Sequence, residues 1–395
     1  MRTVFKNAVI LTPFRKIEGS VVVEDSTIKE VVFGKSEAGI CPGDTVIDVQ
    51  GRYLSPGFIE LHTHGAGGYD FMDGSVDAIV NACRTHLSHG TTALLPTTLS
   101  SQDEELFENL ANIDRAAQIK ENMPEILGSH LEGPYFSPEQ NAAQDKRYIK
   151  APTREEYERI YANCPSIKIW SVAPELPGAQ EMGRWMKSNG IIGSIGHSNA
   201  VYEDVELAVE NGYSMITHYF NGMSRLTRRD AKMYLGVAES GFCFDDLTVE
   251  IIADGCHLPP SLLKLIYKVK GADRICLVTD SMRAAGTDVS ESILGSLKNG
   301  QRVIIEDGVA YMPGKTSFGG SIATADRLVR TMYHKADVPL ADAVKMMTVT
   351  PARVLGVDHR LGSIAPGMDA DILLFDDDIS ISLIMIKGKV WMKKE

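Results

Sequence analysis

Long apolar segments are missing from this chain of 395 residues. None approaches the roughly 20 residues that a membrane-spanning helix requires. The N-terminal stretch MRTVFKNAVILTPFRK holds an apolar core of only about four residues, which is too short for the h-region of a signal peptide. We therefore expect a cytoplasmic protein without a membrane segment.

Paired cysteines and an excess of positive charge are missing as well. The six cysteines are scattered and form no CxxC pair, which is typical of reduced thiols and argues against a disulfide framework. The chain has 40 Lys and Arg residues against 52 Asp and Glu residues, so its formal net charge is -12. This balance argues against a nucleic-acid surface, and an anionic small substrate would have to be captured by local cations.

What the chain contains is a regular alternation of two patterns. Its 44% hydrophobic and 23% charged residues are typical of a globular protein. From residue 58 onward, short β-rich runs alternate with stretches of helical periodicity. The eight runs are FIELH (58–62), TTALLPT (91–97), EILGSHLE (125–132), IKIWSVAPE (167–175), IIGSIGH (191–197), SMITH (214–218), TVEIIADGCH (248–257) and RICLVTD (274–280). This alternation predicts a (β/α)8 TIM-like barrel, whose active site would lie at the C-terminal ends of the strands.

The two ends of the chain have a different character. Residues 1–54 contain strand-like runs without a long helical pattern, and the segment LGSIAPGMDADILLFDDDISISLIMIKGKVWMKKE is similar. We expect these ends to pair with each other. The predicted domains are therefore a small β-sandwich formed by 1–54 together with 356–395, and the barrel over 55–355.

Ionisable side chains stand at the ends of most of the predicted barrel strands. His62 and His64 are two residues apart, so both imidazoles would lie on the same side of an extended strand. The other residues at strand ends are Glu132, His197, His218, His257 and Asp280. Burying so many converging groups unpaired would cost several kcal/mol for each of them. A metal centre would compensate that cost.

Imidazole and carboxylate ligands suit a divalent transition metal, and no spacing here selects among Zn, Fe, Mn, Ni and Co. One or two ions would be bound, with Glu132 bridging if there are two. The candidate ligands are His62, His64, Glu132, His197 and His218. Water bound to such an ion becomes nucleophilic near neutral pH, and Asp280 would move its proton to a leaving group. This is the chemistry of hydrolysis.

The same layout resembles the amidohydrolase superfamily. Many members bridge two metals with a carboxylated lysine at the end of strand four, whereas Lys168 lies near the start of that strand here, which leaves Glu132 as the bridge. Further motifs resemble the N-acetylglucosamine-6-phosphate deacetylase family within it. They are HLEGP (130–134), Ala-Gln (143–144), GHSNA (196–200), THYFNGM (217–223), DGCHLPP (254–260) and VTDSMRAAG (278–286).

The resemblance implies roles for individual residues and a homodimer. Glu132, His197 and His218 would bind the main metal, and Asp280 would be the general acid/base. The substrate would be bound by Gln144, Asn221, the backbone of Gly222, His257 and an arginine. The segment LTRRDAKMYLG departs from the family pattern, and Arg229 stands at the position that the resemblance favours over Arg228.

The resulting hypothesis is a metal-dependent hydrolase that converts N-acetyl-D-glucosamine 6-phosphate to glucosamine 6-phosphate and acetate in amino-sugar catabolism. The alternatives are deacetylation of N-acetylgalactosamine 6-phosphate or of another N-acyl sugar or amino acid. A cyclic-amide hydrolase is disfavoured because the strand-four lysine is missing and HLEGP is present. A non-catalytic scaffold is disfavoured because it has no need for converging charges.

Overall fold

A computed structural model describes residues 1–34 and 39–394, with only the backbone at Arg229. Its larger part is the barrel of parallel strands that the alternation predicted. In chain order the barrel strands are Phe58–Thr63, Thr91–Thr98, Ser129–Glu132, Ile167–Val172, Ile192–Ile195, Tyr213–Ile216, Thr248–Ile251 and Ile275–Leu277. Each pairs in parallel with the next along the chain. A hydrogen bond of 2.9 Å from the Asp280 N–H to the His62 carbonyl brings the end of the eighth strand to the first.

Helices follow every barrel strand and cover its outer side. They are Val76–Ser88, Asp103–Ala116, Arg154–Asn163, Ala179–Ser188, Tyr202–Glu210, Val237–Cys243 and Pro260–Lys270, with Ala325–His334, Leu340–Lys345 and Val349–Val354 after the eighth strand. The first helix begins where Ser75 Oγ accepts a hydrogen bond of 3.2 Å from the Ala78 N–H. The apolar faces of the helices pack on the strands in one large buried cluster that includes Ile79, Leu110 and Ile160.

The two ends of the chain join in one eight-stranded sheet. Its strands are Arg2–Leu11, Lys16–Glu24, Thr27–Phe33, Thr45–Asp48, Tyr53–Pro56, Ile372–Phe375, Ile381–Ile386 and Lys389–Lys393. Strand Tyr53–Pro56 pairs antiparallel with Ile372–Phe375, and a bridge between Thr27 and Asp369 brings the far edge back to the C-terminal segment. A separate apolar core fills this unit. The predicted β-sandwich is confirmed, while the domain boundaries at 54/55 and 355/356 stay predictions.

Short elements surround the ends of the barrel strands. They comprise the pairs Gly65–Ala66 with Tyr69–Asp70 and Thr227–Arg229 with Lys232–Tyr234, the strand Glu125–Ile126, the sheet Glu291–Leu294, Gln301–Glu306 and Val309–Tyr311, and the single 3-10 turns Pro138–Gln140, Ala272–Arg274 and Pro313–Lys315. Within residues 1–34 and 39–394, no helix is long and apolar enough to span a membrane.

Candidate functional site

Four imidazoles converge on the carboxylate of Glu132 at the C-terminal ends of the barrel strands. Its Oε1 atom lies 3.0 Å from Nε2 of both His197 and His218, and Oε2 lies 3.3 Å from Nε2 of His64. Nε2 of His62 is 3.7 Å from Oε1. All five side chains are buried. The structure therefore brings together the five residues that were predicted as metal ligands.

The second nitrogen of each of these rings has a partner of its own. Nδ1 of His197 lies 2.8 Å from the carbonyl oxygen of Gln140, and Nδ1 of His218 lies 3.0 Å from that of Asn221. A carbonyl oxygen can only accept, so the hydrogen-bond pattern assigns the proton to Nδ1 in both rings. When the rings of His197 and His218 are neutral, the Nε2 atom of each therefore points its lone pair at the carboxylate of Glu132.

This arrangement requires a cation. Nε2 of His197 and Nε2 of His218 are only 3.1 Å apart, and both face the same anionic oxygen. Lone pairs held this close repel each other unless protons or a metal ion lie between them. Among the described residues, three groups of three have ligand atoms that all lie within 4.8 Å of one another, and two of these groups contain Glu132: His62, His64 and Glu132, and Glu132, His197 and His218. Glu132 belongs to both groups, as a bridging ligand would.

The electrostatic surroundings of His218 and Glu132 favour positive charge in the site as well. Burial lowers the pKa of His218, but the hydrogen bond and the charge of Glu132 outweigh burial and raise the pKa to about 9. Burial opposes ionisation of Glu132, yet the surrounding imidazoles hold the pKa of this carboxyl well below its usual range. Glu132 is therefore an anion in a site that favours cations.

Three residues of the site have strained backbone conformations. His197, His218 and Asp280 have φ angles of 46°, 28° and 45°, in the left-handed region that side chains other than glycine rarely adopt. Each lies two or three residues beyond the end of a barrel strand, where the chain turns. Strain of this kind, on the order of 1–3 kcal/mol per residue, is characteristic of functional sites.

Asp280 lies beside the two histidines of the first strand. Its Oδ1 atom is 3.1 Å from Nε2 of His64 and 3.6 Å from Nε2 of His62. Burial raises the pKa of Asp280, but His64 and His62 more than offset it and bring the pKa to about 2. An ionised carboxylate at this position is able to accept a proton, and it is also close enough to contact a metal ion.

A cavity of about 220 Å³ lies over this cluster. Among the residues that line it are Gln144, Asn221, Gly222 and His257, which were predicted to bind substrate. Gln144 also donates a hydrogen bond of 2.7 Å to Glu132. Gly222 has a φ of 56°, and a Cβ there would come within 3.0 Å of Nδ1 of His197, so this turn favours glycine.

His257 is held at the wall of the cavity. Its Nδ1 lies 2.8 Å from Oδ2 of Asp254, and its ring packs on Phe318 with centroids 4.3 Å apart. The carboxylate fixes the proton on Nδ1, because an ionised carboxylate only accepts. The predicted contact of His257 with substrate stays a prediction.

Among the described side chains, Arg225 is the arginine that lines the cavity, and the sequence did not single it out. Arg225 is exposed and reaches the cavity, and its Nη2 donates a hydrogen bond of 2.8 Å to the Phe220 carbonyl. The backbone of Arg229 belongs to the pair Thr227–Arg229 with Lys232–Tyr234, but its side chain lies outside the described part of the structure. The predicted phosphate contact of Arg229 therefore stays a prediction.

The sequence interpretation missed Glu250, which lies beneath the cluster. Its Oε2 atom is 3.1 Å from Nδ1 of His62, and the carboxylate is fully buried in the seventh barrel strand. The available signal was a lone carboxylate in the apolar run TVEII, since buried strands seldom carry an unpaired charge. His130, the first residue of HLEGP, is also buried against His62, with ring centroids 4.6 Å apart.

Comparison with known proteins agrees with this fold. The family model described as "Amidohydrolase family" matches residues 53–391, and the chain belongs to that family. It is 32% identical over 391 residues to N-acetylglucosamine-6-phosphate deacetylase of Haemophilus influenzae, covering 98% of this chain and 99% of that protein. The crystal structure of N-acetylglucosamine-6-phosphate deacetylase from Pasteurella multocida has a TM-score of 0.91 and 32% identity, and 99% of each chain is covered.

A relative named for a different substrate matches as well. N-acetylgalactosamine-6-phosphate deacetylase of Escherichia coli is 30% identical over 347 residues, which cover 88% of this chain and 89% of that protein. The resemblance deduced from the motifs and the barrel of the amidohydrolase type are both confirmed.

Proposed function

We propose that this protein catalyses the metal-dependent hydrolysis of the N-acetyl amide of N-acetyl-D-glucosamine 6-phosphate, giving glucosamine 6-phosphate and acetate in amino-sugar catabolism. The observation that carries the proposal is the cluster of four imidazoles around Glu132, with Asp280 beside it. It occurs in a chain that matches N-acetylglucosamine-6-phosphate deacetylases over nearly its full length.

One or two divalent transition metal ions, of Zn, Fe, Mn, Ni or Co, complete the proposed centre. The donor set of imidazole and carboxylate fits these ions. The residues that would hold them are His62, His64, Glu132, His197 and His218. When bound, such an ion polarises an amide carbonyl and lowers the pKa of water.

The remaining steps fall to side chains of the chain itself. Asp280 takes the proton from the attacking water and returns it to the sugar nitrogen as the amide bond breaks. Its ionised state and its position 3.1 Å from His64 support this role. Gln144 holds Glu132 through its hydrogen bond, and the cavity above confines the acetyl group.

The phosphate of the substrate needs a local cation, because the net charge of -12 repels anions. Arg225 lines the cavity, and its guanidinium has N–H donors beyond the one that bonds the Phe220 carbonyl. These donors would contact a bound phosphate, with His257, Asn221 and the Gly222 N–H as further donors. Arg229 or its neighbour Arg228 could supply a second cation. We favour Arg225 as the main phosphate-binding residue because, among the described side chains, it is the arginine that lines the cavity.

The experiment that tests the function is acetate release from a panel of substrates. N-acetylglucosamine 6-phosphate should be hydrolysed faster than N-acetylgalactosamine 6-phosphate and far faster than unphosphorylated N-acetylglucosamine. Preference for the galactosamine isomer would favour the activity for which the Escherichia coli relative is named. No acetate from any of them, with metal bound, would favour a non-catalytic role or another N-acyl substrate.

The proposal also includes a homodimer, which the family resemblance implied, and a cytoplasmic location, which the scattered cysteines and the N-terminal sequence favoured. Light scattering on the purified protein should give twice the chain mass of 43.2 kDa. A monomer at working concentration would contradict this part and leave the reaction unaffected.

A further inference from the structure

Glu250 is a buried carboxylate for which the proposed reaction has no use. It lies in the strand Thr248–Ile251, has no exposed surface, and sits beneath the cluster of imidazoles. Its Oε2 atom is 3.1 Å from Nδ1 of His62, and its Oε1 atom is buried without a hydrogen-bond partner among the described residues. A buried carboxylate with an oxygen that lacks a hydrogen-bond partner destabilises the fold unless another interaction compensates the cost of burying its charge.

A separate metal site does not explain this carboxylate. His62, His130 and Glu250 have ligand atoms within 4.8 Å of one another. However, Nδ1 of His130 lies 3.0 Å from the Leu61 carbonyl, and its Nε2 lies 2.7 Å from Oγ of Ser171. Both nitrogens of His130 are therefore occupied, and Glu250 contacts His62 as a hydrogen-bond acceptor.

His62 differs from the other three imidazoles of the cluster in two respects. The other rings present Nδ1 to neutral carbonyl oxygens, whereas His62 presents it to a carboxylate. Its Nε2 atom is also buried without a hydrogen-bond partner among the described residues, at 3.7 Å from Glu132 and 3.6 Å from Asp280. A carboxylate on Nδ1 fixes the tautomer and makes Nε2 a stronger donor to a metal.

We propose that Glu250 is a positioning residue: it orients His62 as a metal ligand. It thereby sets the affinity with which the position formed by His62, His64 and Glu132 binds a metal ion. The position formed by Glu132, His197 and His218 should depend much less on the Glu250 carboxylate. The rings of His197 and His218 are oriented by carbonyl oxygens, and Glu250 reaches His218 only at its backbone N–H, over 3.4 Å. This inference rests on the metal dependence of the proposed function.

The test is a metal titration of Glu250→Gln, which keeps the size and an acceptor oxygen but removes the charge. Metal-free protein is titrated with Zn²⁺, and each equivalent is followed by calorimetry and by metal analysis after gel filtration. We expect the first equivalent to bind as in the wild type and the second to bind roughly 10- to 100-fold more weakly. Ser171→Ala is the matched control, since it breaks a hydrogen bond of the same buried network at His130 without touching His62. It should leave both equivalents unchanged.

Two further variants, His62→Gln and the double variant His62→Gln with Glu250→Gln, test whether Glu250 influences metal binding through His62. If Glu250 acts through His62 alone, adding Glu250→Gln to His62→Gln should change the affinity for the remaining equivalent by less than about twofold. A further loss in the double variant would overturn the proposal, because Glu250 would then act on another ligand. Circular dichroism and thermal melting show whether each variant is folded.

Three other results would also overturn it: a tight second equivalent in Glu250→Gln, equal loss of both equivalents, or a wild type that binds only one. In the last case acetate release by the one-metal protein would leave the proposed function standing. If instead the wild type binds two equivalents and releases no acetate, the proposed function fails while the role of Glu250 is still measured by the titration.

Discussion

Gln144 donates a hydrogen bond of 2.7 Å from Nε2 to Oε2 of Glu132. The amide is fixed in this orientation because its Oε1 accepts a hydrogen bond of 2.9 Å from the Ser100 N–H. The other oxygen of Glu132 faces His197 and His218. The sequence predicted Gln144 near the acetyl group or the sugar hydroxyls, and in the structure it holds the central carboxylate while lining the cavity. Its contact with substrate stays a prediction.

The first prediction concerns this central carboxylate. Glu132→Gln removes the anion that the two candidate metal positions share, so we expect the purified variant to retain little metal and to release no measurable acetate. Metal analysis by mass spectrometry checks the first part. Glu139→Gln, an exposed residue of the same segment, should keep full metal content. A metal content equal to that of the wild type in Glu132→Gln would rule out Glu132 as a ligand.

The second prediction separates proton transfer from metal binding at Asp280. Asp280→Asn keeps the shape of the side chain but cannot accept a proton, so kcat should fall by roughly 10²- to 10⁴-fold. Metal content should change little. The alternative is that Asp280 itself binds the metal, because its Oδ1 atom lies only 3.1 Å from Nε2 of the candidate ligand His64. If metal is lost in proportion to activity, Asp280 acts chiefly as a ligand.

The third prediction compares the arginines near the cavity. A charge-assisted contact with phosphate contributes about 1.5–3 kcal/mol, so Arg225→Ala should lower kcat/KM for N-acetylglucosamine 6-phosphate by roughly 10- to 100-fold. Hydrolysis of the unphosphorylated sugar should be almost unchanged, because that substrate lacks the group that Arg225 binds. Kinetics with both substrates provide the measurement.

Arg229→Ala and Arg228→Ala, tested with the same two substrates, decide which arginine acts. A selective loss in Arg229→Ala alone would support the family pattern and remove Arg225 from the phosphate site. Equal losses on both substrates in Arg225→Ala would show that its hydrogen bond to Phe220 matters for the turn rather than for phosphate.

The fourth prediction concerns stability and a carboxyl group far from the site. Asp371 is buried in the β-sandwich, where Oδ1 accepts a hydrogen bond of 2.7 Å from the Lys387 N–H and Oδ2 has no partner among the described residues. Burial raises its pKa from 3.8 to about 6. Between these values the folded protein binds more protons than the unfolded chain, so this group's contribution to stability falls as the pH rises from about 4 to about 6.

Asp371→Asn should remove that decline, because the amide stays neutral. A pKa difference of about 2 units corresponds to at most about 3 kcal/mol, so the variant should be more stable than the wild type at pH 7 and similar to it at pH 4. Urea unfolding at the two pH values measures the difference. The exposed Asp378→Asn should follow the wild type. An unchanged pH dependence in Asp371→Asn would show that the carboxyl is already ionised in the folded state.

The sequence by itself determined the architecture and most of the candidate site. Strand and helix periods are local properties, so the alternation from Phe58 onward was enough to predict the barrel. In a parallel barrel the C-terminal ends of all strands lie at one face. This geometry alone predicts that His62, Glu132, His197 and Asp280 lie close together. His62 and His64 are two residues apart, and residues at that spacing point to the same side of a strand, so their shared orientation was also predictable from the sequence.

Only the tertiary structure decided which atoms face one another. The hydrogen bond between Glu250 and His62 spans 188 positions of the chain, and the one between Gln144 and Glu132 depends on how a loop returns over the third strand. Likewise, the sequence left Arg228 and Arg229 as candidates for the phosphate contact, and the folded turn also brings Arg225, which the sequence did not single out, to the cavity. Such contacts depend on strand register, on backbone turns such as the left-handed φ of His197 and on side-chain packing, and none of these has a periodic signature in the sequence.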